Sequence, residues 1–158
     1  MRATGQRRPT PGTGTPAQYP LPGKRDMNSA VHSVRPRTIL LVEDDELVRD
    51  AMMRILVREG YQVLTAPTGH DAIGLLRTPL SPIDVVLLDI GLPDVSGIDL
   101  CARLRELFPA MPVVVVTGAA GPDEAAELRR LGITRFFCKP IAIDQLVVAL
   151  RATFAEGS

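Results

Sequence analysis

The sequence predicts an α/β fold, a doubly wound five-stranded parallel sheet with helices on both faces. Three observations carry this. Between Thr38 and Phe154, short apolar runs alternate five times with segments whose apolar residues recur at helical spacing. The runs at 39–42, 85–88 and 113–116 are apolar at every position, as expected of strands covered by helices on both sides. The connections between strands are long enough for helical crossovers, which parallel pairing requires and which run right-handed.

Each element has its own signals. Ile39-Leu40-Leu41-Val42 is a strand that ends in acids. Leu47, Val48, Ala51, Met52, Ile55 and Leu56 follow at helical spacing, with Gly60 as the stop. Tyr61–Ala66 reads as a strand and Asp71–Arg77 as a short helix. A loop, Thr78-Pro79-Leu80-Ser81-Pro82, leads into the apolar strand around Val85–Leu88. Ser96–Leu107 is a helix with Leu100, Leu104 and Leu107 on one side, and Pro112–Val116 is the fourth strand. The next helix has signals at both ends. Pro122 suits its first turn, Asp123 and Glu124 meet the positive end, Arg129 and Arg130 the negative end, and Gly132 stops it. Thr134–Cys138 is a fifth strand, and Ile143, Leu146, Val147, Leu150 and Phe154 mark a last helix.

The 158 residues hold 18 basic and 18 acidic side chains, and the zero net charge hides an asymmetry. Residues 1–36 carry +5, six of the 14 prolines and no apolar periodicity. Such a stretch buries too little apolar surface to offset its ordering entropy, so residues 1–36 are expected to form a disordered arm. Residues 37–156 form the expected folded domain. From residue 37 on the charge is −5, which argues against a duplex-DNA reader built on a basic face. Gly12–Ala17 matches a nucleotide-loop pattern formally, but no strand precedes it and a proline sits inside it. Arg7-Arg8 is followed by prolines rather than an apolar segment, so no export signal is read there. Met27, just before the folded part, offers an alternative start. Two cysteines do not make a disulfide scaffold, and a reducing, cytoplasmic compartment is expected. No apolar run approaches the ~20 residues that span a bilayer.

In a parallel α/β sheet the site lies beyond the carboxyl ends of the strands. Glu43-Asp44-Asp45 ends the first strand, Asp89 the third, Thr117-Gly118 the fourth and Lys139-Pro140 the fifth. Carboxylates about 5 Å apart repel by roughly 3 kcal/mol at an effective dielectric of ~20, so the cluster calls for a cation. Oxygen ligands without paired histidines point to a hard divalent ion, Mg²⁺, with Mn²⁺ as a substitute. A carboxylate beside such an ion forms acyl phosphates, with Lys139 and Thr117 able to meet phosphoryl oxygens. Of the 12 basic residues after position 36, 11 are arginine and Lys139 is the lone lysine. Acids at strand ends also cap helices, and Asp45 or Glu46 is placed to do so for the first one. His32 and His70 lack metal-spaced partners and read as surface histidines. Cys101 and Cys138 read as small core residues.

The runs Ile-Leu-Leu-Val-Glu-Asp-Asp-Glu (39–46), Asp-Val-Val-Leu-Leu-Asp-Ile-Gly-Leu-Pro-Asp-Val-Ser-Gly-Ile-Asp-Leu (84–100), Val-Val-Val-Val-Thr-Gly (113–118) and Phe-Phe-Cys-Lys-Pro (136–140) together resemble the receiver domain of two-component response regulators. The resemblance covers Thr38–Phe154 and implies a flavodoxin-like sheet of order 2-1-3-4-5. It implies that Asp89 is the phosphoacceptor, with Asp45 binding Mg²⁺ directly and Asp44 supporting it. Asp89 and the backbone carbonyl of Gly91 complete the implied metal ligands. Thr117 is the implied switch hydroxyl, Lys139 the phosphate partner, Phe136 the switch aromatic and Pro140 a cis-proline. Phe136 replaces a tyrosine, so a ring-hydroxyl readout is absent. Gly91 and Ala119 are small where family members often carry groups that tune dephosphorylation.

The expected function is a stand-alone, chemotaxis-regulator-like response regulator in phosphorelay signal transduction. It is expected to be a phosphoprotein that catalyses its own phosphorylation and dephosphorylation without being a turnover enzyme. A histidine kinase or phosphotransfer protein is the expected donor. Output is expected through the 122–154 face to a downstream protein, from a monomer or a weak phosphorylation-linked dimer, without nucleic acid or membrane. The alternative is a receiver fold that docks a partner without phosphorylation, and a third reading uses the basic arm to bind nucleic acid.

Overall fold

The computed structural model describes residues 35–79, 82–118 and 121–157. The expectations for the arm at 1–34, with its Gly12–Ala17 pattern, Met27 and His32, and those for Leu80, Ser81 and Ala119, lie outside the described residues. The elements run β1 (Thr38–Val42), α1 (Glu46–Arg58), β2 (Gln62–Ala66), α2 (Gly69–Leu76), β3 (Val85–Asp89), α3 (Gly97–Leu107), β4 (Val113–Thr117), α4 (Pro122–Arg130), β5 (Arg135–Cys138) and α5 (Ile143–Glu156). The five strands form one sheet of order β2-β1-β3-β4-β5, parallel throughout.

The period-two alternation of each strand splits the core in two. Leu40, Val42, Val86, Leu88, Val113 and Val115 face Ala72, Ile73, Leu100, Cys101, Leu104 and Leu128, so α2, α3 and α4 cover one side. Ile39, Leu41, Val85, Leu87, Val114 and Val116 face Leu56, Leu146 and Leu150, so α1 and α5 cover the other. Truncating one of these fully buried leucines to alanine costs about 2–5 kcal/mol.

Helix ends follow the sequence signals. Pro122 occupies the first turn of α4, with Asp123 and Glu124 beside it and Arg129 and Arg130 in the last turn. Gly60 and Gly132 end α1 and α4 at positive φ, 93° and 73°, where a side chain is strained. At α2 every early N–H finds an acceptor. Thr68 Oγ1 accepts from Asp71, the Asp94 carboxylate from Gly69 and His70, and the Thr68 carbonyl from Ala72.

Several expectations are corrected. The apolar stripe of α1 starts later than its sequence suggests, since Leu47 is 82% exposed while Leu56 is fully buried. Cys138 is exposed at the end of β5, whereas Cys101 is a core residue whose thiol burial pushes up to about 12. Arg35, expected in the arm, belongs with the folded unit. It makes a two-pronged bond to Asp84 at 2.8 Å, and Arg37 adds a third at 3.2 Å. Among the described residues no helix is long and apolar enough to cross a membrane.

Candidate functional site

Parallel register brings the carboxyl ends of β1, β3, β4 and β5 to one edge of the sheet. Leu41 pairs with Leu87, Asp89 with Val116, and Thr117 with Cys138. The residues just past those ends therefore converge. Ligand-capable oxygens of Glu43, Asp44 and Asp89 all lie within 4.8 Å of one another. Glu43 and Asp89 are buried and Asp44 is exposed.

Lys139 reaches across from the end of β5. Its Nζ donates to Asp89 Oδ2 at 2.5 Å and to Glu43 Oε2 at 3.0 Å. Its backbone N–H donates to the Thr117 carbonyl at 2.7 Å, which ties the ends of β4 and β5 together. The Lys139–Pro140 bond is cis. The other Asp89 oxygen accepts from the Gly91 N–H at 3.0 Å. A Cβ at Gly91 would sit 3.6 Å from that same oxygen, so any side chain there would border the carboxylate. Thr117 is buried on the neighbouring strand, and Gly118 beyond it is exposed with open space around it.

Electrostatics follow from burial and the single ammonium. Burial raises Glu43 above the usual carboxylate range, helped by the nearby Asp89 charge and only partly opposed by Lys139. For Asp89 burial works in the same upward direction, but hydrogen bonds from Lys139 and Gly91 outweigh it and hold the carboxyl below its ordinary value. Burial alone would lower Lys139, yet its bonds to Asp89 and Glu43 raise it. The cluster thus favours an ionised Asp89 facing a protonated lysine.

The structure separates the two aspartates of the Glu43-Asp44-Asp45 run. Asp44 lies in the acidic cluster, while Asp45 is the N-cap of α1 and accepts from the Val48 N–H at 3.0 Å. Among the described residues the carboxylate oxygens that come together are those of Glu43, Asp44 and Asp89, and Asp45 stands outside that group. Glu43 follows the last strand residue, and Asp45 already turns into the helix. Phe136 is half-buried against the α2–α4 side of the core, with the Arg129 guanidinium 5.2 Å from its ring centre.

Two residues were missed in the sequence, and a third, Glu43, was legible only as a member of the acidic run that ends the first strand. Arg49, one turn into α1, donates to the carbonyls of Glu43 and Asp44 at 2.9 and 3.1 Å. Asp94 ties the β3–α3 loop to the start of α2, and only its position after Pro93 hinted at a turn.

An all-oxygen, carboxylate-rich set of this kind fits a hard divalent cation. Comparison with known proteins agrees with the fold. Residues 39–151 match the profile of the response regulator receiver domain. The transcriptional regulatory protein KdpE of Mycobacterium tuberculosis is 40% identical over 124 residues, covering 77% of this chain and 53% of its own length. The response regulator MprA of Mycolicibacterium vanbaalenii is 32% identical over 74% of this chain and 50% of its own. The chain spans about half the length of these curated relatives. Among solved structures, a CheY-like receiver domain protein from Methanospirillum hungatei superposes with a TM-score of 0.73 at 28% identity, over 78% of this chain and 97% of that one. The beryllofluoride-activated NtrC4 receiver domain dimer gives 0.69 at 29%, over 77% and 98%. With the profile spanning most of its length, the chain belongs to the response regulator receiver domain family.

Proposed function

We propose that Asp89 accepts a phosphoryl group from a histidine kinase or phosphotransfer protein in a Mg²⁺-dependent reaction, as a step of phosphorelay signal transduction. The single observation that supports this best is the Lys139 ammonium bonded to Asp89 and Glu43 at the edge where Asp44 joins them. Glu43, Asp44, Asp89 and the Gly91 carbonyl would hold the cation. When bound, Mg²⁺ neutralises charge on the phosphoryl oxygens and on the crowded carboxylates.

An Asp89 oxygen attacks phosphorus, and the bond from phosphorus to the donor nitrogen breaks with its electron pair leaving on the donor. The product is an acyl phosphate on Asp89. Lys139 then transfers its contact from the carboxylate to a phosphoryl oxygen, which a compact ammonium on a flexible stem is suited to do. Thr117, at the end of the adjacent strand, supplies a hydroxyl to another phosphoryl oxygen. Attack of water on phosphorus breaks the bond to the Asp89 oxygen, restores the carboxylate and releases inorganic phosphate. In this reading the domain is a cytoplasmic phosphoacceptor switch rather than a turnover enzyme.

Output runs through the face built from α4, β5 and α5. Movement of Thr117 toward the phosphoryl group opens space for the Phe136 ring, and burying a phenyl ring strands no hydroxyl. Val148, 65% exposed on α5, supplies apolar surface for a downstream protein or a second copy. The dimeric state of the activated NtrC4 receiver domain supports a phosphorylation-linked dimer as one form of that output.

The test is incubation with acetyl phosphate and Mg²⁺. One phosphoryl group per chain, labile to hydroxylamine and lost in Asp89→Asn, is the expected result. Label that survives Asp89→Asn overturns the assignment.

A further inference from the structure

We infer that Arg49 is a positioning residue for the cation site: it holds the β1–α1 turn in the conformation that brings Glu43 and Asp44 to Asp89. The inference rests on reading the acidic cluster as a Mg²⁺ site.

Four successive acids, Glu43 to Glu46, turn the chain from β1 into α1. Like charges in sequence repel and favour an extended path, so the turn needs an inner support. Arg49 supplies it three times over. Its backbone N–H donates to the Asp45 carbonyl at 2.8 Å, and its Nη1 donates to the carbonyls of Glu43 at 2.9 Å and Asp44 at 3.1 Å. One residue thus satisfies three consecutive carbonyls.

The rest of the turn is built on that support. The Glu43 N–H is fixed to the Ala66 carbonyl of β2 at 3.1 Å. The Asp45 N–H donates to Glu43 Oε1 at 3.2 Å, which aims the Glu43 carboxylate and leaves its Oε2 for Lys139. Without the guanidinium, the Glu43 and Asp44 carbonyls turn to water and the peptide planes that orient both side chains are free to rotate.

Charge and positioning predict opposite signs, which makes the inference testable. Arg49 is a cation beside a cation site. By Coulomb's law alone, removing it strengthens Mg²⁺ binding. As a positioning residue its removal weakens binding, by about tenfold on the scale usual for residues that orient metal ligands.

The experiment titrates MgCl₂ into the full chain at fixed ionic strength by calorimetry, for wild type, Arg49→Met and Arg49→Lys. The expected result is a dissociation constant about tenfold higher in Arg49→Met. Arg49→Lys, which keeps a donor and the charge, is expected to recover wild-type affinity to within about threefold, because one nitrogen makes both side-chain bonds. Equal or tighter binding by Arg49→Met overturns the inference, as does Arg49→Lys binding no better than Arg49→Met. If Arg49→Met does not fold, Arg49→Gln gives the same comparison of sign. A wild type that binds no Mg²⁺ refutes the cation-site reading itself, whereas normal wild-type binding with an unaffected Arg49→Met refutes only the role of Arg49.

Discussion

Replacing Lys139 with methionine removes the ammonium that bonds both Asp89 and Glu43 and leaves two carboxylates facing each other with side chains only 10% and 6% exposed. At a separation within 4.8 Å, two such charges repel by about 3 kcal/mol at an effective dielectric of ~20. Breaking a buried ion pair from one side costs about 3–5 kcal/mol. Lys139 is 32% exposed and Asp44 is open to solvent, which places this site at the lower end, near 2–3 kcal/mol. For a domain of this size that is a fall in metal-free Tm of roughly 10 °C.

Two further signatures separate this from general loosening. Glu43 already titrates above its ordinary value. Between its unfolded and folded values the folded state therefore holds a proton that the unfolded state lacks, and stability rises as pH falls through that window. Acidification from pH 7 toward the carboxylate range is thus expected to narrow the gap between Lys139→Met and wild type. Mg²⁺ is expected to raise the variant's Tm by more than it raises the wild type's, because the cation replaces the missing charge. Calorimetric melts with and without MgCl₂ at two pH values measure all three. A variant that melts with wild type and gains no more from Mg²⁺ refutes the electrostatic reasoning.

Other expectations follow from single features. Asp84 is held below the ordinary carboxylate range: burial opposes this, but bonds from Arg35, the Thr38 N–H and Arg37 outweigh it. Its contribution is present above the unfolded value of about 3.9 and is lost as pH falls through the folded value. Asp84→Asn should lower stability at pH 7 by about 1–2 kcal/mol and flatten the acid limb of the melting profile, and an unchanged acid limb counts against this pairing. Gly97→Ala should cost about 2 kcal/mol, since a Cβ there would stand 2.5 Å from the Ile90 Cα, whereas Gly74→Ala meets open space and should stabilise α2 slightly. Urea melts of the pair check both signs. Phe136→Ala should leave Asp89 phosphorylation intact while making partner capture indifferent to phosphate, and a wild-type phosphate dependence in that variant removes Phe136 from the output route.

Much of this fold was readable in the chain because its strands announce themselves. Uniform apolar runs such as Val113–Val116 have no competing helical reading at four residues, and burial on both faces is what they show. The strand order was not in any periodicity and came from the likeness to receiver domains. The acidic edge was legible as a set, since every member closes a strand or comes just after one. Its internal assignment was not, because choosing among Glu43, Asp44 and Asp45 depends on where β1 stops and α1 begins, a boundary one residue wide. Leu47 misled for a related reason: helical spacing marks a stripe but not the turn at which that stripe meets the sheet. Arg49 and Arg35 act through bonds to a backbone turn and to a residue 49 positions away, and neither leaves a local pattern.

Whether Asp89 is the phosphoacceptor is answered by locating the acyl phosphate chemically. Protein treated with acetyl phosphate and Mg²⁺ is reduced with borohydride, which converts an aspartyl phosphate to homoserine, and its peptides are sequenced by mass spectrometry. Homoserine at position 89, dependent on Mg²⁺ and absent without acetyl phosphate, is the predicted result. Homoserine at position 44 or 45 instead, or at no position under conditions that fully load another receiver domain, contradicts the account and favours a receiver fold that docks its partner without phosphorylation.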